Sequence, residues 1–438
     1  IIHHYGIWLS WVLDHQKTTL WVAAGTLGLT ALLYVAIPKG FFPVQDTGVI
    51  QLITEAPQTT SFAAMAQRQQ AVADIVLDDP AVESLSSFIG VDGANVTLNS
   101  GRMLVNLKPK NVRSLDAKAV IHRLQEKLDA LPGTRSFMQP VQDLTIEDRV
   151  SRTQFQFSLQ DADAAELALL APRLVERFSR LPQLRDIASD VQDNGLQATL
   201  DIDRAAAGRL GITVAAIDNA LYNAFGQRLV STLFTQSNLY RVVLEVHPEF
   251  RQTPSSLENF HLIAPNGARV PLTAIARIRE QPASLATHHI GQFPAATLSF
   301  NLAPGVSLGE AVAAIHDALA ELDPPASLET RFQGAALAYQ ASLTNTLLLI
   351  LAAIITMYIV LGVLYESFIH PVTILSTLPS AAIGALLALM LADKDLGMIA
   401  VIGIILLIGI VKKNAIMMVD FALQAEREEG KPPREAIF

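Results

Sequence analysis

The 438-residue sequence contains no cysteine, which excludes a disulfide framework, thiolate metal ligation and thiol catalysis. It is also short of charge, with 17% Asp, Glu, Lys and Arg against about 25% in a soluble domain. Basic residues are the scarcer sign, 32 Lys and Arg against 41 Asp and Glu for a net charge of −9. The electrostatic footprint of a nucleic-acid-binding protein is therefore missing. Residue 1 is Ile, and no basic region with a cleavage site precedes the first apolar run. The N-terminus reads as neither a natural start nor a signal peptide. The C-terminus stops in the helical-looking stretch Glu435-Ala436-Ile437-Phe438 with no terminating signal, so the expectation is a segment of a longer polypeptide.

What the chain has is apolar sequence, 51% of its residues with a mean hydropathy of +0.35, and this composition excludes disorder. The apolar residues lie in blocks. Leu20 to Ile37 and Leu347 to Leu364 are uncharged and almost wholly apolar, and no charge occurs between Glu366 and Asp393. Leu396 to Val411 is apolar again, and the pattern resumes from Ala415 to Leu423 after Lys412-Lys413-Asn414. Runs of about 18 or more apolar residues read as membrane helices, because only a helix satisfies its own backbone in lipid. Core helices of a large soluble protein are the alternative, and four such runs weigh against it. One span precedes the long soluble stretch from Pro38 to about Thr346 and three follow it. That stretch and Asp393-Lys394-Asp395 therefore share one side of the membrane. Lys17, Arg427, Lys431 and Arg434 flank the other side, against Lys39 and Lys394, a bias toward a cytoplasmic tail and an exported central region.

Within the central region a pattern repeats. Amphipathic helical stretches near Ser61–Leu77, Ser114–Leu131, Ala164–Leu181 and Ser307–Leu322 each end at a proline-containing stop. Pro172 lies inside the third, which predicts a kink or a later start. Strand-like runs precede them at Val49–Thr54, Met103–Leu107, Gln154–Leu159 and Ala296–Leu302, and a β-prone segment follows each. Four strand–helix–strand units make two β-α-β-β-α-β modules, the split or ferredoxin-like arrangement. The first covers about 44–140 and the second about 151–335, split by an insertion. In the insertion, Asn266-Gly267 signals a hairpin between His261–Ala264 and Ala268–Leu272, and Leu210–Ala224 is helical in pattern.

Several motifs carry possible chemistry. Gly305-Val306-Ser307-Leu308-Gly309 matches a nucleophile elbow, but Ser307 with Glu310 is also a capping box, which is the better reading. The pairs His3-His4 and His288-His289 have no further ligand at metal-binding spacing and read as surface histidines. Ser86 to Gly101, with Phe88, Gly90 and Gly93, is apolar, glycine-rich and loop-like between two strands, suited either to a mobile apolar contact or to a tight turn with a core Phe. Lys412 and Lys413 are the sharpest feature. A lysine within a membrane helix costs about 2.5–3.5 kcal/mol and is functional by default. The frame Leu396 to Leu423 spans 28 residues, about 42 Å of helix, and Lys413 falls about 5 Å past its centre. Asp420 lies seven residues on, on the same face. The alternative ends the helix at Val411, with both lysines snorkelling to the interface.

The segments Ile37-Pro38-Lys39-Gly40-Phe41-Phe42-Pro43-Val44-Gln45-Asp46-Thr47-Gly48, Leu364-Tyr365-Glu366-Ser367-Phe368 and Gly409-Ile410-Val411-Lys412-Lys413-Asn414-Ala415-Ile416 resemble signatures of the resistance–nodulation–division (RND) efflux pumps. The resemblance runs the full length of the chain. Ala220-Leu221-Tyr222-Asn223-Ala224-Phe225-Gly226-Gln227-Arg228 and the doubled lysine look closest to the MdtB type of subunit, which the family places in mixed trimers. The resemblance implies an α+β membrane protein of the bacterial inner membrane, with four transmembrane helices and a large periplasmic region of two ferredoxin-like βαββαβ modules with an inserted docking subdomain. Residues 1–19 form an amphipathic segment, and spans lie at 20–37, 347–364, 368–392 and 396–423, ahead of a cytoplasmic tail at 424–438. Porter subdomains occupy 38–150 and 151–194 with 286–335, and the docking subdomain 195–285. The chain resembles the second half of the family's duplicated pump, truncated after its fourth span.

The activity implied is drug/proton antiport, secondary transport rather than enzymology, and it calls for no cofactor and no metal. Lys413, ahead of Asn414, matches the relay lysine, with Lys412, Asn414 and Asp420 as weaker candidates. Its aspartate partners belong to the half not present in this sequence. Phe88, Gly90 and Gly93 match the region of the substrate loop. Implied partners are further RND protomers in a homo- or heterotrimer, a periplasmic adaptor, an outer-membrane channel, amphiphilic or hydrophobic substrates and membrane lipid, and no nucleic acid. A superfamily relative moving lipids or aiding protein export is the runner-up. A membrane-anchored periplasmic enzyme needs a catalytic constellation in 44–335, and the sequence displays none.

Overall fold

The computed structural model describes residues 2–91, 97–144, 146 and 151–437. It divides into two units, one formed by Ile1–Val191 with Thr287–Phe438 and the other by Gln192–Ala286.

The first unit opens with α1 (Ile2–Asp14) and α2 (Gln16–Ala36), separated only by His15. Trp8 and Trp11 stand exposed on α1, the placement aromatic side chains take at a membrane–water interface. Pro38 cannot continue a helix, and Ile37 turns extended before it. There follow β1 (Val49–Glu55), α3 (Phe62–Leu77), β2 (Val82–Ile89), β3 (Ser100–Leu107), α4 (Ala117–Leu128) and β4 (Arg135–Pro140). Their sheet has the order β2-β3-β1-β4, and each pair is antiparallel. β1 alternates strictly, sending Ile50, Leu52 and Thr54 inward. Val72 and Val76 of α3 and Val120, Leu124 and Leu128 of α4 close over them in one core. The helices start later than their apolar patterns because Ser61 and Asp116 are caps, each accepting a backbone N–H.

The same order begins again with β5 (Phe155–Gln160), α5 (Ala164–Ser179) and β6 (Leu184–Ser189). α5 runs unbroken through Pro172, its buried face of Leu167, Ala171, Leu174 and Phe178 holding it on the sheet. The chain then enters the second unit: β7 (Gly195–Ile202), α6 (Arg204–Arg209), α7 (Val214–Phe225), β8 (Arg228–Phe234), β9 (Leu239–Leu244), β10 (His261–Ile263), β11 (Arg269–Pro271) and β12 (Ala276–Ala283). β7 pairs with β12, β8 with β9 and β10 with β11. The Asn266-Gly267 hairpin is present, with Gly267 at φ +82°. The helix expected over Leu210–Ala224 is α7, which starts four residues late at Val214 because Gly211 stands at φ +70° and Thr213 is the cap. Ile212, Ile217, Leu262, Leu272 and Ile275 form the unit's small core.

Back in the first unit come β13 (His288–Ile290), β14 (Phe293–Leu302), α8 (Leu308–Leu322) and β15 (Glu329–Gln333). β14 receives β13 and β6 and pairs with β5, which pairs with β15. Phe157, Phe178, Phe300, Ile315 and Phe332 fill the core beneath α5 and α8. The chain ends in α9 (Gly334–Tyr365), α10 (Ile369–Leu375), α11 (Leu378–Leu391), α12 (Met398–Glu428) and α13 (Pro433–Ile437). Among the described residues three stretches are long and apolar enough to cross a membrane: Gln16–Ala36, Ile369–Leu391 and Met398–Glu428. α9 contributes a shorter apolar stretch, Leu351–Tyr365. α10 and α11 are parted at Ser376 and Thr377, and Pro379 stands in the first turn of α11. Leu33, Ile37, Leu386 and Leu396 join α2, α11 and the start of α12.

Candidate functional site

α12 is one unbroken helix of 31 residues, about 46 Å at 1.5 Å per residue. It does not end at Val411, and Lys413 is its middle residue, with fifteen helical residues on either side. Ala415, Ile416, Val419 and Leu423 pack on Leu361, Tyr365 and Ile374 of α9 and α10. Lys412, one turn before Ile416, shares that face and is half-buried. Lys413, Asn414, Met417 and Asp420 are exposed, so among the described residues the face carrying Lys413 is left uncovered. Lys413 and Asp420 stand two turns apart along the helix, and Asp420, though exposed, borders the Tyr365 hydroxyl of α9.

The second candidate group sits on the first sheet. Phe88 lies in β2 rather than in a loop, because β2 pairs with β3 as far as Ile89 against Gly101. Its ring is exposed, and the Arg102 guanidinium lies 5.9 Å from its centroid. Gly90 ends the strand at φ +88°, a conformation side chains rarely adopt. Gly93 lies outside the described residues. Next to Phe88 the sequence reading missed a polar row that runs from the buried Thr54 and Gln69 to the exposed Ser87. The Thr54 hydroxyl donates to Gln69 Oε1, and Gln69 Nε2 donates to Ser87 Oγ at 3.1 Å. The signal was available: Gln69 interrupts the stripe Met65, Val72, Val76 on the buried face of α3.

The remaining motifs resolve structurally. Ser307 caps α8: its hydroxyl accepts the Glu310 N–H at 3.4 Å, and its own N–H donates to Glu310 Oε2 at 2.8 Å. His288 and His289 occupy successive positions of β13. Among the described residues no group of three or more His, Cys, Asp or Glu is placed to hold a metal ion.

The linker after α2 holds a third cluster. Asp46 accepts from Arg113 Nη2 at 2.6 Å, from the Gly48 N–H at 3.1 Å and, on its other oxygen, from the Ala117 N–H at 3.1 Å. Burial acts to raise the Asp46 carboxyl, but Arg113 and the two backbone donors outweigh it and hold it below the ordinary 3.8. Asp395, in the turn before α12, is displaced the other way, by partial desolvation first and then by Glu310 and Asp393. The Tyr339 hydroxyl on α9 is raised chiefly by burial.

Comparison with known proteins places this arrangement. The model of the AcrB/AcrD/AcrF family matches residues 1–438. Among solved structures, the X-ray crystal structure of a heavy metal efflux pump is similar in two crystal forms. The first gives a TM-score of 0.82 at 24% identity over 94% of this chain and 43% of that one. The second gives 0.84 at 24% over 96% and 45%. The chain thus spans less than half the length of the pump structures it matches.

Proposed function

The chain belongs to the AcrB/AcrD/AcrF (RND) family, and from that premise we propose that it acts within a proton-driven pump exporting hydrophobic or amphiphilic small molecules across a Gram-negative envelope. Lys413 carries this reading: a cation at the midpoint of a 31-residue apolar helix, on a face left exposed among the described residues. Exposing it to lipid costs about 2.5–3.5 kcal/mol, and carboxylates from polypeptide outside this sequence offset that cost. With those acids ionised, Lys413 is held between them. Protonating them removes the attraction, Lys413 swings away and α12 shifts, so a proton becomes a displacement.

In this reading α2, α9, α10 with α11, and α12 cross the inner membrane. The two βαββαβ units are ferredoxin-like porter subdomains in the periplasm, and Phe88 and Gly90 border the substrate path. The second unit docks toward an outer-membrane channel, an adaptor joins the two, and further RND protomers complete a trimer, a mixed one in keeping with the MdtB-like segment Ala220–Arg228. Amphiphiles are favoured over metal ions as cargo by the exposed Phe88 ring. The heavy-metal cargo of the solved relative and the lipid-moving alternative become arms of the test.

The test is complementation of an efflux-deficient strain, scored with a panel of amphiphilic drugs, metal salts and detergents. Wild-type protein is expected to raise resistance to the drugs at least tenfold. Lys413→Ala is expected to abolish that gain at unchanged membrane abundance and melting temperature. Full resistance with Lys413→Ala refutes the relay, and protection against metal salts alone reassigns the cargo.

A further inference from the structure

The linker between α2 and β1 does more than connect them. A helix leaves its first amides without intrahelical acceptors, and this linker supplies acceptors to three different helices. The Phe41 carbonyl accepts the N–H of Met398, the first residue of α12, at 3.0 Å. The Lys39 carbonyl accepts the N–H of Gly309, in the first turn of α8, at 3.1 Å. Asp46 Oδ2 accepts the N–H of Ala117, the first residue of α4, at 3.1 Å. The Pro38 carbonyl adds a bond from the Leu396 N–H at 2.8 Å. One stretch from Pro38 to Asp46 therefore holds the starts of the Lys413 helix and of one helix from each βαββαβ unit.

The packing there leaves no slack. A Cβ on Gly40 would lie 2.8 Å from the Asp395 Cβ, and one on Gly309 would lie 2.5 Å from the Tyr339 hydroxyl. A Cβ on Gly397 would strike the Phe41 carbonyl oxygen. None of these glycines has a positive φ, so the requirement is space between segments rather than backbone freedom. Phe41 is buried in the core of the second βαββαβ unit, and Met398 packs against that same core.

Resting on the transport reading above, we infer that Pro38–Asp46 is a strut that turns movement of α12 into movement of α8 and α4, with Gly40, Gly309, Gly397 and Tyr339 as its positioning residues. Lys413 lies fifteen residues from Met398, about 22 Å along a stiff helix. An axial shift at the lysine therefore reaches the strut nearly undiminished. Because two of its bonds run to backbone at the start of α12 and a third to backbone of α8, the strut moves with both rather than sliding past either.

The experiment uses the complete transporter in proteoliposomes, following proton flux and efflux of a fluorescent amphiphile under an imposed pH gradient. Gly309→Ala is expected to lower efflux at least tenfold while Lys413-dependent proton flux stays within twofold. Tyr339→Phe, which removes the clashing hydroxyl, is expected to restore at least half of the efflux. Gly40→Cys with Asp395→Cys tests the same joint by a covalent clamp in a segment that otherwise lacks thiols, and its reduced form is the control for the strain that a Cβ at Gly40 introduces. Their Cβ positions come within bridging range once the backbone gives by about 1 Å. With the pair oxidised, efflux is expected within twofold of the reduced form, because the strut moves as one piece. Two results overturn the inference: wild-type efflux from Gly309→Ala, or a pair whose oxidation stops efflux and whose reduction restores it. Failure of the transport reading is separate, since it appears as Lys413→Ala pumping normally.

Discussion

Arg113 is nearly fully buried, its side chain 2% exposed, and Asp46 is the carboxylate that neutralises it. Removing one partner of a buried pair strands the other, a loss of about 3–5 kcal/mol, so Asp46→Ala is expected to destabilise the fold by that order. The pH dependence has a definite sign. The folded Asp46 carboxyl titrates below its unfolded value, so its contribution is complete above about pH 4 and fades as pH falls through the folded value. Asp395 is the opposite case. Its folded value is raised, by desolvation, Glu310 and Asp393 in that order. The fold therefore favours its neutral form, and that stabilisation is present below the unfolded value and lost as pH rises through the folded one. Melting curves of the solubilised protein against pH are the measurement. Asp46→Asn should approach wild type at low pH, whereas Asp395→Asn should exceed wild type at pH 7. An Asp46→Asn deficit that is flat with pH means the ion pair is not what Asp46 contributes.

At the scale of elements, α8 separates local from long-range information. Ser307→Ala is expected to cost about 1 kcal/mol through loss of the cap and to leave transport at wild-type rate; a dead transporter of normal stability would return Ser307 to the chemistry. That cap was legible in four residues of sequence, as were the starts of α3 and α4 to within three residues, because capping and the 3.6-residue stripe are local. The mid-helix position of Lys413 was legible for the same reason, a charge set in an apolar run. β8 and β9 were not. Arg228–Phe234 and Leu239–Leu244 expose apolar side chains on both faces, so they lack the alternation that marks a half-buried strand. The reach of α9 back to Gly334 was hidden too, since its first turns are amphipathic and pack on β5 and β15 rather than facing lipid. The strut escaped because its partners stand far along the chain. Asp46 bonds Arg113 and Ala117, and Phe41 bonds Met398; no window of sequence holds both ends.

At the scale of the whole molecule, the β8–β9 ribbon argues for assembly. Leu229, Val230, Leu233, Phe234, Leu239, Tyr240, Val243 and Leu244 are all exposed, Phe234 at 78%. An isolated two-stranded ribbon is marginal in water, and a contiguous apolar patch of this kind marks a surface that another chain covers. If the proposed trimer holds, the covering chain is a neighbouring protomer, and the ribbon's stability is then coupled to the trimer's. Phe234→Asp with Leu239→Asp places two carboxylates in that interface, where desolvating them is costly. The dissociation constant of the trimer is expected to rise at least about 100-fold, about 2.8 kcal/mol at 1.4 kcal/mol per tenfold. Native mass spectrometry of the detergent-extracted protein reads this as monomer appearing at concentrations where the wild type, on the proposed reading, is expected to be trimeric. Ile217 and Leu272 anchor a core in which neither substituted residue takes part, so the second unit should keep its fold, and its amide exchange protection checks that it does. A variant that stays trimeric down to wild-type concentrations means that the ribbon faces something other than its own kind.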